Sequence, residues 1–169
     1  MEQTELKRAS TLTQRLLDTI VNAIQREADA KGRLSPTICI VDEEGAMMLL
    51  RRGDAQVKDS VVVAALLAKC AQQTGTNGKW PVLNGNMNAT ISKLINGLLS
   101  EEATTVLHDF PFDVIFYDLG SSYALRDLGG EIIGAIGVVA ENLETSKEYA
   151  KVGHAVFDER LTLDTRSQA

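Results

Sequence analysis

Apolar residues near the start of the chain return at three- and four-residue steps. Leu6, Ala9, Leu16, Ile20, Ile24 and Ala28 lie on one stripe with Thr13, and Leu17 and Val21 widen it. The spacing predicts an amphipathic helix over 4–31, with Arg8, Arg15, Asp18, Gln25 and Asp29 on its solvated side. Gly32 suits the left-handed position that closes a helix, and Leu34-Ser35-Pro36 leads into extended chain. The pattern then changes. Thr37 to Val41 is a continuous β-branched run, Asp42 to Gly45 has turn chemistry, and Ala46 to Arg51 returns, so a β-hairpin is predicted with its first strand central in a sheet.

From Ser60 to Thr74 a helix is expected that is apolar nearly all round, interrupted by one lysine, Lys69. A buried lysine is costly unless its stem reaches water or its amine meets a partner. Gly75 to Met87 reads as a polar, glycine-rich loop carrying the only tryptophan, Trp80. Helical spacing resumes over 88–99 and, more briefly, over 100–108, ended by Pro111. Val114 to Tyr117 and Ser121 to Leu125 read as strands. A turn over 126–130 feeds a third, glycine-punctuated strand, Gly129 to Ala140. A closing helix is expected over 146–161, followed by a polar, frayed tail over 165–169.

The glycine strand does not alternate strictly, so both of its faces should be covered. Gly134 and Gly137 weaken a strand unless something approaches the backbone there: a packing helix, a neighbouring strand or a ligand. Nucleotide binding is excluded for this run. Its glycines follow neither the dinucleotide nor the phosphate-loop spacing, and no lysine follows to reach a phosphate.

The 169 residues suit a single domain, 1–169, with a full core. The net charge of −6 argues against a nucleic-acid partner, and no apolar run reaches bilayer length, so no membrane partner is expected. Met1 to Arg8 lacks the apolar core of a signal peptide, and a cytoplasmic setting is the expectation. Cys39 and Cys70 lie in apolar surroundings without metal or redox spacing and read as buried free thiols. The two apolar-faced helices exceed what one small sheet needs to cover, which predicts a homo-oligomer.

Three features, in order along the chain, carry a resemblance. They are the strand Ile38 to Val41 ending in Asp42 with Gly45, Arg52 and Asp54 behind it; Lys69 in an alanine-rich helix; and the string Gly134-Ala135-Ile136-Gly137-Val138. Together they are similar to the GlcG/HbpS-type haem-binding family, which includes the C-terminal domain of PduO. The resemblance spans roughly residues 4 to 160. It implies an α/β (α+β), profilin-like fold, with a five-stranded antiparallel sheet and helices on both faces. It also implies assembly into homo-oligomers and binding of haem or another tetrapyrrole in a cleft near the glycine strand and the 45–54 hairpin. Arg52, Asp54, Lys69, Gly134 and Gly137 are the matching cofactor-binding positions. Family members that bind haem use a histidine near the N-terminus, and here no histidine precedes His108.

His108 is therefore the candidate iron ligand, with His154 second and cysteine or tyrosine as alternatives. Arg52, Lys69 or Lys79 are the cations able to meet the propionates, and Met47, Met48 and Trp80 are candidate apolar walls. No catalytic triad can be chosen from spacing alone. Three functions remain open: a tetrapyrrole- or other small-molecule-binding protein, an enzyme acting on a small organic substrate, and an accessory protein acting through partner contacts.

Overall fold

The computed structural model describes residues 12–54, 60–75, 77 and 120–167. In order these form α1 (Gln14–Ala30), β1 (Thr37–Asp42), β2 (Met47–Arg51), α2 (Ser60–Thr74), β3 (Gly120–Arg126), β4 (Ile132–Val139) and α3 (Leu143–Ser167). The expected helices over 88–99 and 100–108, the strand Val114 to Tyr117, and His108, Lys79 and Trp80 lie outside the described residues.

The described strands make one antiparallel sheet in the order β2-β1-β4-β3. It has four strands where the resemblance implies five. The β1–β2 hairpin, the central place of β1 and the bounds of α2 are as the pattern predicts. Ile38 faces Val138, Cys39 faces Gly137 and Ile40 faces Ile136 across the β1–β4 ladder.

Helices cover both faces of the sheet, which is why β1 and β4 read as nearly unbroken apolar runs. Strand periodicity sends Cys39, Val41, Ala135 and Val139 to the α2 side, where they pack with Val63, Leu67 and their neighbours. Ile38, Ile40, Ile136 and Val138 point the other way, into a second core with Ile20 and Ile24 of α1 and Tyr149 and Phe157 of α3. Gly137 decides how close α2 can lie. A Cβ built there would strike the carbonyl oxygen of Ala64 and sit 2.8 Å from the amide nitrogen of Ala68, so helix backbone rests directly on strand backbone.

Three helix boundaries differ from the pattern. The chain is not helical through Thr13, the residue read as part of the first stripe. Thr13 is the N-cap of α1, extended at φ −79°, ψ 154°, with its Oγ1 accepting from the Leu16 amide at 3.2 Å. At the other end, α3 begins before residue 146 because Asn142 caps it, its Oδ1 accepting from the Thr145 amide at 2.9 Å. The helix then runs on through Ser167, into the tail expected to fray. Gly32 closes α1 at φ +62° as expected, with the Arg33 amide donating to Ala28 O at 2.9 Å.

Candidate functional site

The β1–β2 turn is built by Asp42. Its Oδ1 accepts from the amides of Glu44 and Ala46, each at 2.9 Å, and its own carbonyl accepts from the Gly45 amide at 3.0 Å. Gly45 sits at φ +81°, and a Cβ there would lie 2.6 Å from Lys69 Nζ. The positive φ calls for glycine, and any larger residue would also push the end of the Lys69 side chain aside.

Lys69 passes beside the turn. The residue is 7% exposed, and its Nζ donates to Gly45 O at 3.3 Å. A lysine ammonium carries three donors, and among the described residues no second acceptor and no carboxylate reaches this one. One turn later on the same helix, Gln72 Nε2 donates to Glu43 O at 2.7 Å, while its Oε1 is buried with no partner. The two side chains clasp the turn to α2 and leave unmet donors and an unmet acceptor beside it. Buried polar groups are ordinarily paired, so the unmet donors of Lys69 and the bare oxygen of Gln72 are features that packing alone does not explain. The sequence singled out Lys69 as the charge in an apolar helix. It missed Gln72, whose only signal was its place three residues after Lys69.

The other expected site residues are distributed as follows. Arg52 and Asp54 do not pair with each other. Arg52 is exposed without a partner among the described residues. Asp54 Oδ2 accepts from Ser35 Oγ at 3.0 Å, and Ser35 Oγ accepts from the Asp54 amide at 3.1 Å. Gly53 lies against the backbone of Ser35 and Pro36 and donates to Thr37 Oγ1 at 3.0 Å, and Thr37 Oγ1 in turn bonds Ser60 Oγ at 2.9 Å. Gly53 and Asp54 thus tie the end of the hairpin to the segment leading into β1 and, through Thr37, to the start of α2, while Arg52 takes no part. The Cβ side of Gly137 is occupied by α2, and that of Gly134 by the Val41 carbonyl and Leu12. On the exposed strand β2, Met47, Met48 and Leu50 are 44%, 38% and 41% exposed.

His154 is far from this arrangement in the fold. It lies on α3, its ring stacked on Tyr123 with centroids 4.7 Å apart and Nε2 3.5 Å from Asp158 Oδ2, so the sheet stands between it and Lys69. On that same side, hydrogen bonds from Lys31 and Arg33, each 3.0 Å, hold the Glu148 carboxyl below the usual range. Burial pushes the thiols of Cys39 and Cys70 up to about 12, so neither is a ready nucleophile. Among the described residues no group of three or more His, Cys, Asp or Glu could hold a metal ion, and no helix is long and apolar enough to cross a membrane.

No protein-family model matches the chain, and no curated protein matches it in sequence. Solved structures do. Protein ORFY of Klebsiella pneumoniae, of family DUF336, is 16% identical with a TM-score of 0.57, the match covering 87% of this chain and 90% of that one. A PduOC–haem complex is 20% identical with a TM-score of 0.56, covering 86% and 94%. Streptomyces reticuli HbpS, in a double-mutant form, is 23% identical with a TM-score of 0.55, covering 86% of each chain. These structures come from the same group that the sequence motifs resemble, and at 16 to 23% identity what the chain shares with them is the fold.

Proposed function

We propose that this protein binds haem or a related tetrapyrrole beside the β1–β2 hairpin and the end of α2, as a cytoplasmic homo-oligomer. The observation that carries the reading is Lys69, buried, bonded to one carbonyl and lacking a carboxylate among the described residues. A propionate is the group such an amine is suited to hold, and a charge-assisted bond of this kind is stronger than a neutral one. Gln72 Oε1 beside it would take a donor from the ligand or from a bridging water. Gly137 acts indirectly, by letting α2 lie close enough to β4 to hold Lys69 at Gly45. Arg52 and Asp54 lie at the other end of the hairpin, toward the start of α2, and Met47 offers an apolar surface next to the turn. The likeness in fold to a haem complex supports the choice of ligand. Haem, when bound, would supply an iron centre able to take a small molecule. His108 is the proposed protein ligand.

Titration with haem, followed in the Soret band, tests this. The expected affinity is about micromolar, because the acidic chain gives no long-range attraction to a dianionic ligand. Lys69→Met should weaken binding, His108→Ala should abolish the Soret shift, and His154→Ala should leave it. Absence of any shift in the wild type would remove the proposal, and an affinity unchanged in Lys69→Met would remove the site.

A further inference from the structure

Lys69 stands at one end of an apolar strip that neither core covers. Across the β1–β2 ladder Met47 faces Val41 and Leu50 faces Cys39, and both of those partners belong to the core on the α2 side of the sheet. Residues directly opposite each other on paired strands share a face, so Met47 and Leu50 also lie on the α2 side. Leu49 faces the other way, into the α1–α3 core, as does Arg51, which donates to Gln25 of α1 at 3.1 Å. On the α2 side the cover stops at β1. Cys39 and Val41 are fully buried, whereas Met47 and Leu50 beside them are exposed. Met48, left without a partner on β1 by the register shift, is exposed as well.

The second wall comes from α2, which runs in the opposite sense to β2. Its first residue, Ser60, bonds Thr37 at the start of β1, level with the end of β2, and Lys69 reaches Gly45 at the turn before β2 begins. Val62 and Ala65 precede Lys69 by seven and four residues, a spacing that sets all three on one side of the helix. Val62 is only partly buried. From Val62 to Lys69 the helix rises about 10 Å. From Gly45 to Leu50 the strand advances about 16 Å. The strip is therefore elongated, apolar along its length, and carries a buried ammonium at the turn end alone.

We infer that this strip binds a monocarboxylate with a linear apolar tail, a medium-chain fatty acid, its carboxylate on Lys69 Nζ and its tail laid between β2 and the Val62 side of α2. Among the described residues Lys69 is bonded to Gly45 O alone, and a carboxylate accepts its remaining donors as charge-assisted bonds. Gln72 Oε1, buried and bare, accepts from a water bridging to the same carboxylate. The tail covers Met47 and Leu50, which the fold leaves in water. The ligand shares Lys69 with the proposed tetrapyrrole, but its affinity comes from the tail and needs no iron ligand, so it stands whether or not haem binds.

Calorimetric titration of the full chain with decanoate, decanol and acetate is the experiment. Decanoate should bind, with acetate about a hundredfold weaker for want of the tail and decanol about tenfold weaker for want of the charge. Lys69→Met should weaken decanoate about tenfold and leave decanol unchanged, a split that general destabilisation does not produce. Met47→Gln with Leu50→Gln, both at exposed positions, should weaken decanoate and decanol alike. Should Lys69→Met fail to fold, this surface pair decides alone. Absence of decanoate binding, acetate binding as tightly as decanoate, or a decanoate affinity indifferent to Lys69→Met or to the surface pair would each overturn the inference. Haem titrated alongside separates the two readings. A Soret shift without decanoate binding removes the fatty acid and leaves the tetrapyrrole, and decanoate binding without a Soret shift does the reverse.

Discussion

Gly137→Ala adds one methyl group where α2 and β4 share backbone contact. The new Cβ would strike Ala64 O and lie 2.8 Å from Ala68 N and 3.1 Å from Ala64 C. None of these atoms belongs to a side chain that can rotate away. Relief needs α2 to lift from the sheet, which would loosen Leu67, Ala68 and Val63 against Cys39 and Val139. Overpacking of this kind costs about 1–3 kcal/mol. At about 2–4 °C per kcal/mol for a chain of this size, the melting temperature should fall by about 2–12 °C. Gly137→Val should fall further. Gly32→Ala is the comparison: its Cβ meets nothing within 4 Å, but its φ of +62° is strained for alanine. It should cost about 1 kcal/mol through the backbone alone. Thermal melts by circular dichroism, repeated as urea titrations, separate the two effects. A Gly137→Ala protein that melts with the wild type would mean that α2 does not rest on β4 backbone, and the close-packing argument would fail.

Three further outcomes are expected. Asn142→Ala should destabilise the chain by about 1 kcal/mol in a urea titration, and Asn142→Asp should cost much less, because either Asn or Asp can cap α3. Cys39 and Cys70 should resist alkylation at pH 8 until the chain unfolds. Because their folded-state pKa of about 12 exceeds the roughly 8.5 of an unfolded thiol, their contribution to stability is complete below the unfolded value and falls as pH rises past it. Glu148 is shifted the other way, so its contribution is present above the unfolded carboxyl pKa and lost as pH falls through the folded one. Acid titration of Glu148→Gln should show a shallower loss of stability over that range, and a slope equal to that of the wild type would dismiss the Lys31–Arg33–Glu148 cluster as a contributor.

Where local rules agreed, the fold was legible in the sequence. The β1–β2 hairpin was marked three ways, by a β-branched run, an Asp-to-Gly turn and a returning apolar run, and each mark matches a feature of the structure. α2 was readable to the residue because an unbroken apolar helix has no alternative phase. The helix ends were not readable in the same way. Thr13 has the spacing of a stripe residue and the chemistry of a cap, and spacing alone cannot rank the two. Asn142 falls in the polar stretch between the glycine strand and the helix expected from 146, although its side chain starts the longest described helix.

The site was legible only where it broke a rule. Every residue of α2 from Val63 to Ala71 is buried, and Lys69 is the single charge among them. Stability does not call for it, since an apolar residue of similar length would fill the same space without a charge to desolvate. Gly45 lies against it, and a side chain at that position would displace the end of the lysine. Local inconsistency of this kind is where function is expected to sit. Gln72 completes the arrangement but broke nothing, since a glutamine late in a helix is ordinary, and its buried, unpartnered oxygen becomes visible only in three dimensions. Arg52 and Asp54 show the reverse. They look like a functional pair in sequence, yet Asp54 is spent on Ser35 in tying the hairpin to the rest of the chain, and Arg52 is left facing water. The charge most in need of a partner in α2 and the charge most available on the hairpin are therefore different residues, and they stand at opposite ends of the hairpin.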